Sequence, residues 1–96
     1  MLELRPSCEH CGTALPPDSG EARICSFECT FCVACAEGVL GNVCPNCGGG
    51  FERRPVRPRA MLAKYPARRD EVRKVVDLAA FSPLRDRMRG VPSAQR

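Results

Sequence analysis

Hydrophobic residues are spaced at helical intervals in the C-terminal part of the chain. The stripe stands at positions i, i+3, i+4 and i+7 and consists of Val72, Val75, Val76 and Ala79. That period puts all four side chains on one face, so we predict a helix of about residues 67–81. Ser82 and Pro83 suit the N-cap and first residue of a second short helix, which ends at Gly90. Pro92 onward is predicted to be a frayed end.

Apolar residues in the N-terminal half form only short runs separated by turn residues. Pro16 to Gly20 is predicted to be a turn that joins short strands near Ala14–Leu15 and Arg23–Ile24. Val33–Leu40 suits a short helix, closed by Gly41 as its C-terminal cap. The expected members of a miniature core are Ile24, Phe27, Phe31, Val39 and Leu40.

The 96 residues divide by composition into three parts. Gly48 to Gly50 ends a cysteine-bearing module of residues 1–51, and an extended, basic Pro/Arg linker of residues 52–66 follows. The amphipathic helical tail covers residues 67–96. A module this short buries too small a core to be stable alone, so it is expected to need metal or disulfides.

Charge is divided sharply between the two halves of the chain. Residues 1–51 hold two basic and six acidic groups, and residues 52–96 hold thirteen basic and five acidic groups. The formal charges are therefore −4 and +8, which sum to the net +4 of the whole chain. A zinc ion held by four thiolates carries a charge of −2, so two such sites would bring the first half to −8. We therefore expect the tail to dock on the module by charge and by its valines.

All eight cysteines lie in the first half of the chain, mostly in Cys-x-x-Cys spacing. The N-terminus lacks the pattern of a secretory signal and no apolar run could span a bilayer, which predicts a cytoplasmic protein without membrane contact. In a reducing compartment such thiols are expected to be metal ligands. Eight ligands make two closed tetrahedral sites, which are structural and leave no position for catalysis. We therefore predict two Zn²⁺ per chain.

The order of the cysteines favours a crossed pairing between the two sites. Cys32 and Cys35 begin the short predicted helix, where N–H groups favour thiolates. Their natural partners are in the first turn of the chain, across the predicted hairpin. Site 1 is accordingly predicted to be Cys8, Cys11, Cys32 and Cys35. Site 2 is predicted to be Cys25, Cys29, Cys44 and Cys47.

Two resemblances follow from these motifs. The cysteine order, with Phe31 before Cys32 and Cys44-Pro-x-Cys47 at the end, resembles a RING finger with Cys29 in the usual histidine position. The opening Met-Leu-Glu-Leu-Arg-Pro and the Cys-Pro-Asn-Cys-Gly-Gly motif resemble the small bacterial proteins of the domain of unknown function 1272 family. The resemblance implies a small α+β zinc-stabilised domain with a RING-like cross-brace, a treble-clef-type first site and a helical C-terminal extension. It implies no activity.

Ubiquitin-ligase activity does not follow from the RING resemblance. The apolar residue that usually precedes the second ligand is replaced by His10, and the basic residue that usually follows the last ligand is replaced by Gly48. Only Pro45, with Leu40 as a weaker match, fits the surface that grips a conjugating enzyme. His10 itself is interpreted as a solvated loop residue. Without an assembled catalytic set, the prediction is a non-enzymatic zinc scaffold that binds another macromolecule, most readily a protein.

Two other functions stay open at this point. Cys29, Cys32 and Cys35 followed by Cys44-Pro45 are reminiscent of a ferredoxin cluster, which would make the protein an iron–sulfur redox protein. The basic tail could instead contact nucleic acid through Arg53, Arg54, Arg57, Arg59, Arg68 and Arg69. The amphipathic tail could also pack on a second copy of the chain as a homodimer. We favour the interpretation that these arginines dock on the acidic module.

Overall fold

The computed structural model describes residues 1–96 and centres on a small antiparallel sheet. Its strands are β1 (Ala22–Ile24), β2 (Thr30–Cys32) and β3 (Glu52–Arg53), in the order β2-β1-β3. β1 pairs with β2 so that Arg23 faces Phe31, and with β3 so that Arg23 faces Arg53. The central strand therefore ties the cysteine-rich hairpin to the first residues after the module.

The predicted strand at Arg23–Ile24 is confirmed, but its predicted partner is wrong. Ala14 forms an isolated bridge with Ser7, and the N–H of Leu15 donates to the carbonyl of Pro6 at 2.8 Å. The tight turn that brings Cys8 and Cys11 together reverses the chain and returns Ala14 to Ser7. Residues 14–15 therefore pair with the segment before the first cysteines and leave β1 free for β2 and β3.

The short helix predicted over Val33–Leu40 is confirmed as one wide turn at Ala34–Val39. It is of the π type, because the N–H of Leu40 bonds to the carbonyl of Cys35 at 2.8 Å. Gly41 follows with φ of +59°, which suits the predicted glycine cap. This turn places Cys35 directly behind β2 and Cys32.

Fourteen buried residues form one cluster, and six of them are cysteines. Phe31 and Phe51 meet edge to face with ring centroids 5.3 Å apart, and Leu40 is fully buried beside them. Phe27 was expected in this core, but its side chain is 72% exposed. It lies in the tight Cys25–Cys29 turn, and its backbone N–H points at the sulfur of Cys25. The core therefore lacks Phe27 and depends largely on its cysteines.

Arg54 is the largest fully buried side chain, although its sequence context predicts an extended linker. Its guanidinium donates to the carbonyls of Arg5, Leu15 and Pro16 at 2.8, 3.0 and 2.9 Å. No carboxylate contacts it, and burial lowers the pKa of Arg54. Arg54 therefore joins the N-terminal segment to β3 through backbone oxygens.

The C-terminal part contains one helix, α1 (Leu78–Met88), in place of the two predicted. Residues 67–77 form no helix and no strand, because their backbone donors bind the module. The N–H groups of Arg68 and Lys74 donate to the carbonyls of Leu4 and Glu9 at 3.0 and 2.8 Å. The helix begins at Asp77, whose carboxylate accepts the N–H of Ala80 at 3.2 Å.

The predicted break at Ser82–Pro83 is also wrong, because α1 runs through Pro83. A proline in a helix interior costs about 3 kcal/mol. Here Phe81 is buried in the core cluster on one side of it, and Leu84 packs against that cluster on the other. These anchors hold both flanks in helical geometry. The last residues form a short 3-10 turn at Ser93–Gln95.

The tail lies against the module mainly through arginine donors and apolar side chains. Arg57 donates to the carbonyl of Leu2 at 2.6 Å, and Arg96 to those of Asn42 and Gly48 at 2.9 and 3.1 Å. Arg68 forms an ion pair with Glu3 at 2.6 Å. Most of these bonds therefore go to backbone carbonyls and not to the acidic side chains expected from the charge division.

The valine stripe provides only part of the apolar anchor that its spacing predicts, because Val76 packs against the core cluster and Val75 does not. Val75 is 64% exposed, whereas Phe81 is 6% exposed. Val75→Asp is therefore expected to leave the amide-exchange protection of α1 unchanged, and Phe81→Asp to abolish it. Hydrogen exchange followed by NMR measures both variants on the same amides. Equal loss of protection in the two variants would contradict this packing.

No helix of this structure combines the length and apolar character that crossing a membrane requires.

Candidate metal centre

The four cysteines predicted for site 1 lie together. The sulfur atoms of Cys8, Cys11, Cys32 and Cys35 are all within 4.8 Å of one another. Cys11 and Cys32 have their sulfurs 3.7 Å apart. A tetrahedral zinc with Zn–S bonds of about 2.3 Å requires sulfur separations of about 3.8 Å. The spacing and the all-thiolate donor set therefore fit a closed zinc site.

A second cluster contains three of the four cysteines predicted for site 2. The sulfurs of Cys25, Cys44 and Cys47 satisfy the same 4.8 Å limit. The sulfur of Cys29 does not lie within this limit of all three, although its side chain interacts with those of Cys25 and Cys44. The amide of Asn46 donates to the sulfur of Cys29 at 3.4 Å. Cys29 as the fourth ligand therefore stays a prediction.

Two tight turns of the same type each present one cysteine pair, one turn to each cluster. The N–H of Gly12 bonds to the carbonyl of Cys8 at 3.0 Å, and that of Gly48 to the carbonyl of Cys44 at 2.8 Å. Both glycines have positive φ, of +80° and +78°, which other residues rarely adopt. Because the turns are closed by backbone bonds, the two sulfurs of each pair point to the same side.

Backbone N–H groups also point at the sulfurs of the second cluster. Phe27 donates to Cys25 at 3.3 Å, and Gly49 to Cys47 at 3.4 Å. The Cys25–Cys29 turn is completed by Glu28, whose φ is +67°. Such donors stabilise thiolate charge around a bound ion and fix the direction of the ligands.

The two clusters are interleaved along the chain. The first cluster combines Cys8 and Cys11 with Cys32 and Cys35. Cys25 lies between these two pairs in the sequence but belongs with Cys44 and Cys47. The β1–β2 hairpin links them, because Cys25 follows β1 and Cys32 ends β2. The two clusters are therefore connected through the same pair of strands.

The thiol pKa values separate the buried cysteines from an exposed one. Burial raises the pKa of Cys29, Cys32, Cys35 and Cys44. The Thr13 hydroxyl, 3.0 Å from the sulfur of Cys11, is the main cause that lowers the pKa of Cys11 to about 6. These four thiols are therefore protonated in the metal-free chain at neutral pH. A metal ion must displace these protons, so its affinity increases with pH.

Two residues next to the ligands have structural roles that the sequence did not reveal. His10 is not a solvated loop residue, because its Nδ1 accepts the N–H of Val76 at 3.0 Å. Glu9 is buried and pairs with Arg5 at 2.7 Å. Its carboxylate also accepts the N–H of Thr30, which ties the first cysteine turn to β2. Val76 and Thr30 are distant in the sequence from His10 and Glu9, so no local pattern predicts these two contacts.

The ferredoxin-like set of cysteines is not brought together. Cys32 and Cys35 lie in the first cluster, whereas Cys44 lies in the second. The residues that would share one iron–sulfur cluster are therefore divided between two sites.

Comparison with known proteins identifies relatives but no activity. Residues 1–57 match the family described as "Protein of unknown function (DUF1272)". An uncharacterised protein of Rhizobium meliloti (strain 1021) is 69% identical over 67 residues, which cover 70% of this chain and 80% of that protein. No solved structure matches the chain.

Proposed function

The chain belongs to the DUF1272 family of proteins of unknown function, and from this premise we propose that it is a RING-like two-zinc scaffold that binds another protein. The interleaving of the two cysteine clusters is the observation that carries the proposal. Closed all-cysteine sites of this kind are structural, because no coordination position is left for water or substrate. In this proposal the protein has no catalysis of its own.

The RING-like cross-brace is supported by the order in which the chain visits the two clusters. Cys8 and Cys11 in a tight turn, the β1–β2 hairpin, and Cys32 and Cys35 at the short helix have the layout of a treble clef. The second cluster spans the hairpin turn and the Cys44–Gly48 turn. The zinc ions would replace the large core that so short a module lacks.

The proposal predicts two zinc ions per chain in protein purified without added metal. Each closed site holds one ion, since four thiolates satisfy its tetrahedral geometry. Elemental analysis by mass spectrometry, normalised to protein by amino-acid analysis, measures the ratio. A ratio of one ion per chain would contradict the second zinc site. A brown sample that contains iron would favour an iron–sulfur redox protein over the zinc scaffold.

The arginine contacts within the chain favour a protein partner over nucleic acid. Of the six arginines considered for phosphate contact, Arg53, Arg59 and Arg69 are exposed. Arg54 and Arg57 donate to carbonyl oxygens of their own chain, and Arg68 pairs with Glu3. Donors engaged in this way are not free to contact phosphate groups. With two zinc ions bound, the formal charge of the whole chain would be zero, which gives no general attraction to polyanions.

A further inference from the structure

The module surface beneath α1 is lined by backbone and apolar side chains. Leu84 lies over Gly48, since a Cβ on that glycine would be 4.0 Å from the Leu84 Cδ1 atom. The stem of Arg85 lies over Gly41 in the same way, at 3.4 Å from its Cγ. Both glycines have positive φ and leave room for a helix to approach. We call this surface, formed by Phe31, Gly41, Pro45 and Gly48, the helix-docking face.

α1 is seated on this face almost entirely by apolar anchors. Phe81 is buried in the core cluster, and Leu84 and Met88 pack against it, at positions i, i+3 and i+7 of one helix stripe. The only hydrogen bond from α1 to the module is a long one, from Arg85 to the carbonyl of Val39 at 3.4 Å. This is the helix-in-groove mode of recognition, in which few side chains hold a helix.

The flanks of α1 are held differently. The preceding segment is fixed by backbone bonds, such as that from Lys74 to Glu9, and the chain end by Arg96 on Asn42 and Gly48. α1 itself has 11 residues with Pro83 inside, and isolated helices of that length are marginal in water. Release from the face therefore also melts the helix, so α1 can exchange with a competitor.

The fit between α1 and the module is incomplete. An open cavity of about 320 Å³ remains beside the helix, between Phe31, Pro45, Val76, Phe81 and Leu84. The face belongs to residues 1–57, which match the family, whereas α1 lies outside that match. The shared module therefore carries a surface whose cover is supplied by a separate part of this chain.

The chemistry of α1 indicates what binds there. Its C-terminal half carries Arg85 and Arg87 beside a single acid, Asp86, and Arg89 is its C-cap. The module beneath is acidic, with six acidic and two basic groups in residues 1–51. No acidic side chain of the module contacts these arginines, since Arg85 and Arg89 pair with Asp86. Apolar packing, and not charge, therefore defines which helix fits this face.

We propose that the helix-docking face binds an amphipathic helix of a partner protein, with an aromatic residue and two large aliphatic residues at i, i+3 and i+7, and that α1 occupies the face in cis until the partner displaces it. This inference rests on the proposed scaffold function and names its partner chemistry. The face is then autoinhibited, because a tethered helix competes at an effective concentration on the order of millimolar.

The test uses the zinc-loaded full chain and a fluorescein-labelled synthetic peptide of residues 76–91, with binding measured by anisotropy. Phe81→Ser in the protein removes the main cis anchor and frees the face. We expect this variant to bind the peptide at least about tenfold more tightly than the wild-type chain does, because the fraction of open molecules sets the apparent affinity. The same peptide carrying Phe81→Ser is the matched control and should bind neither protein.

Zinc content and amide dispersion are recorded on every sample. If Phe81→Ser disturbs the module, the test uses a chain that carries Leu84→Ser and Met88→Ser at two half-buried anchors. We expect the same increase in affinity for the peptide. A loaded, folded variant that binds the peptide no better than wild type would overturn the inference and leave the zinc scaffold intact. A chain without zinc under any condition would overturn the scaffold itself.

Discussion

Cys44→Ser is expected to abolish both metal sites and unfold the module. Cys44 is fully buried in the second cluster, and its loss leaves three or fewer thiolates there. Structural zinc supplies about 10–16 kcal/mol in small zinc domains, which equals or exceeds the whole stability of a typical domain. The β1–β2 hairpin connects the clusters, so the first should fail with the second.

Cys32→Ser tests the same coupling from the first cluster and should be about equally disruptive. Ser26→Ala is the control, because Ser26 is exposed in the Cys25–Cys29 turn and binds no metal in this arrangement. Zinc content and the spread of amide resonances in residues 8–48 are the measurements. A Cys44→Ser protein with one zinc ion and native dispersion around Cys8 would show that the sites are independent.

Arg54→Ala is expected to lower the free energy of unfolding of the zinc-loaded chain by about 4 kcal/mol or more. The substitution leaves three carbonyl oxygens without their donor, those of Arg5, Leu15 and Pro16. Hydrogen bonds to a charged group contribute about 1.5–3 kcal/mol each, and the buried side chain also leaves a cavity. Urea unfolding at fixed free zinc measures the change.

Arg53→Ala is the matched control for Arg54, because it removes the same charge from the neighbouring, exposed position. Its expected effect is within about 0.5 kcal/mol. Arg54→Lys should fall between the two, since one ammonium cannot reach all three oxygens. Equal unfolding midpoints for Arg54→Ala and Arg53→Ala would mean that the N-terminal segment is held by other contacts.

Local sequence was sufficient for the turns and for the grouping of the first site. A tight turn after Cys11 and after Cys47 needs a residue with positive φ, which the glycine at each position allows. Both glycines have a positive φ in the structure. The crossed pairing predicted Cys8 and Cys11 with Cys32 and Cys35, which is the first cluster. These features follow from the sequence because ligand spacing and glycine geometry act over a few residues.

The tail shows where local periodicity is insufficient. The apolar residues of the tail have a helical period, yet residues 67–77 form no helix. Their N–H groups bind the carbonyls of Leu4 and Glu9 and the imidazole of His10 instead. Pro83 predicted a helix start, yet α1 passes through it because Phe81 and Leu84 are held against the core. In both cases tertiary partners outweigh an intrinsic preference of about 3 kcal/mol or less.

The sequence by itself determined that this protein is a cysteine-rich module with a basic extension, and which thiols form the first cluster. Only the tertiary structure decided the use of that extension: Arg54 is a core residue, Phe81 is the anchor, and Phe27 and Val75 face solvent. The physical reason is the range of the interactions. Metal-ligand turns are encoded within four or five residues, whereas burial of Arg54 and Phe81 depends on carbonyls and side chains that are tens of residues away in the chain.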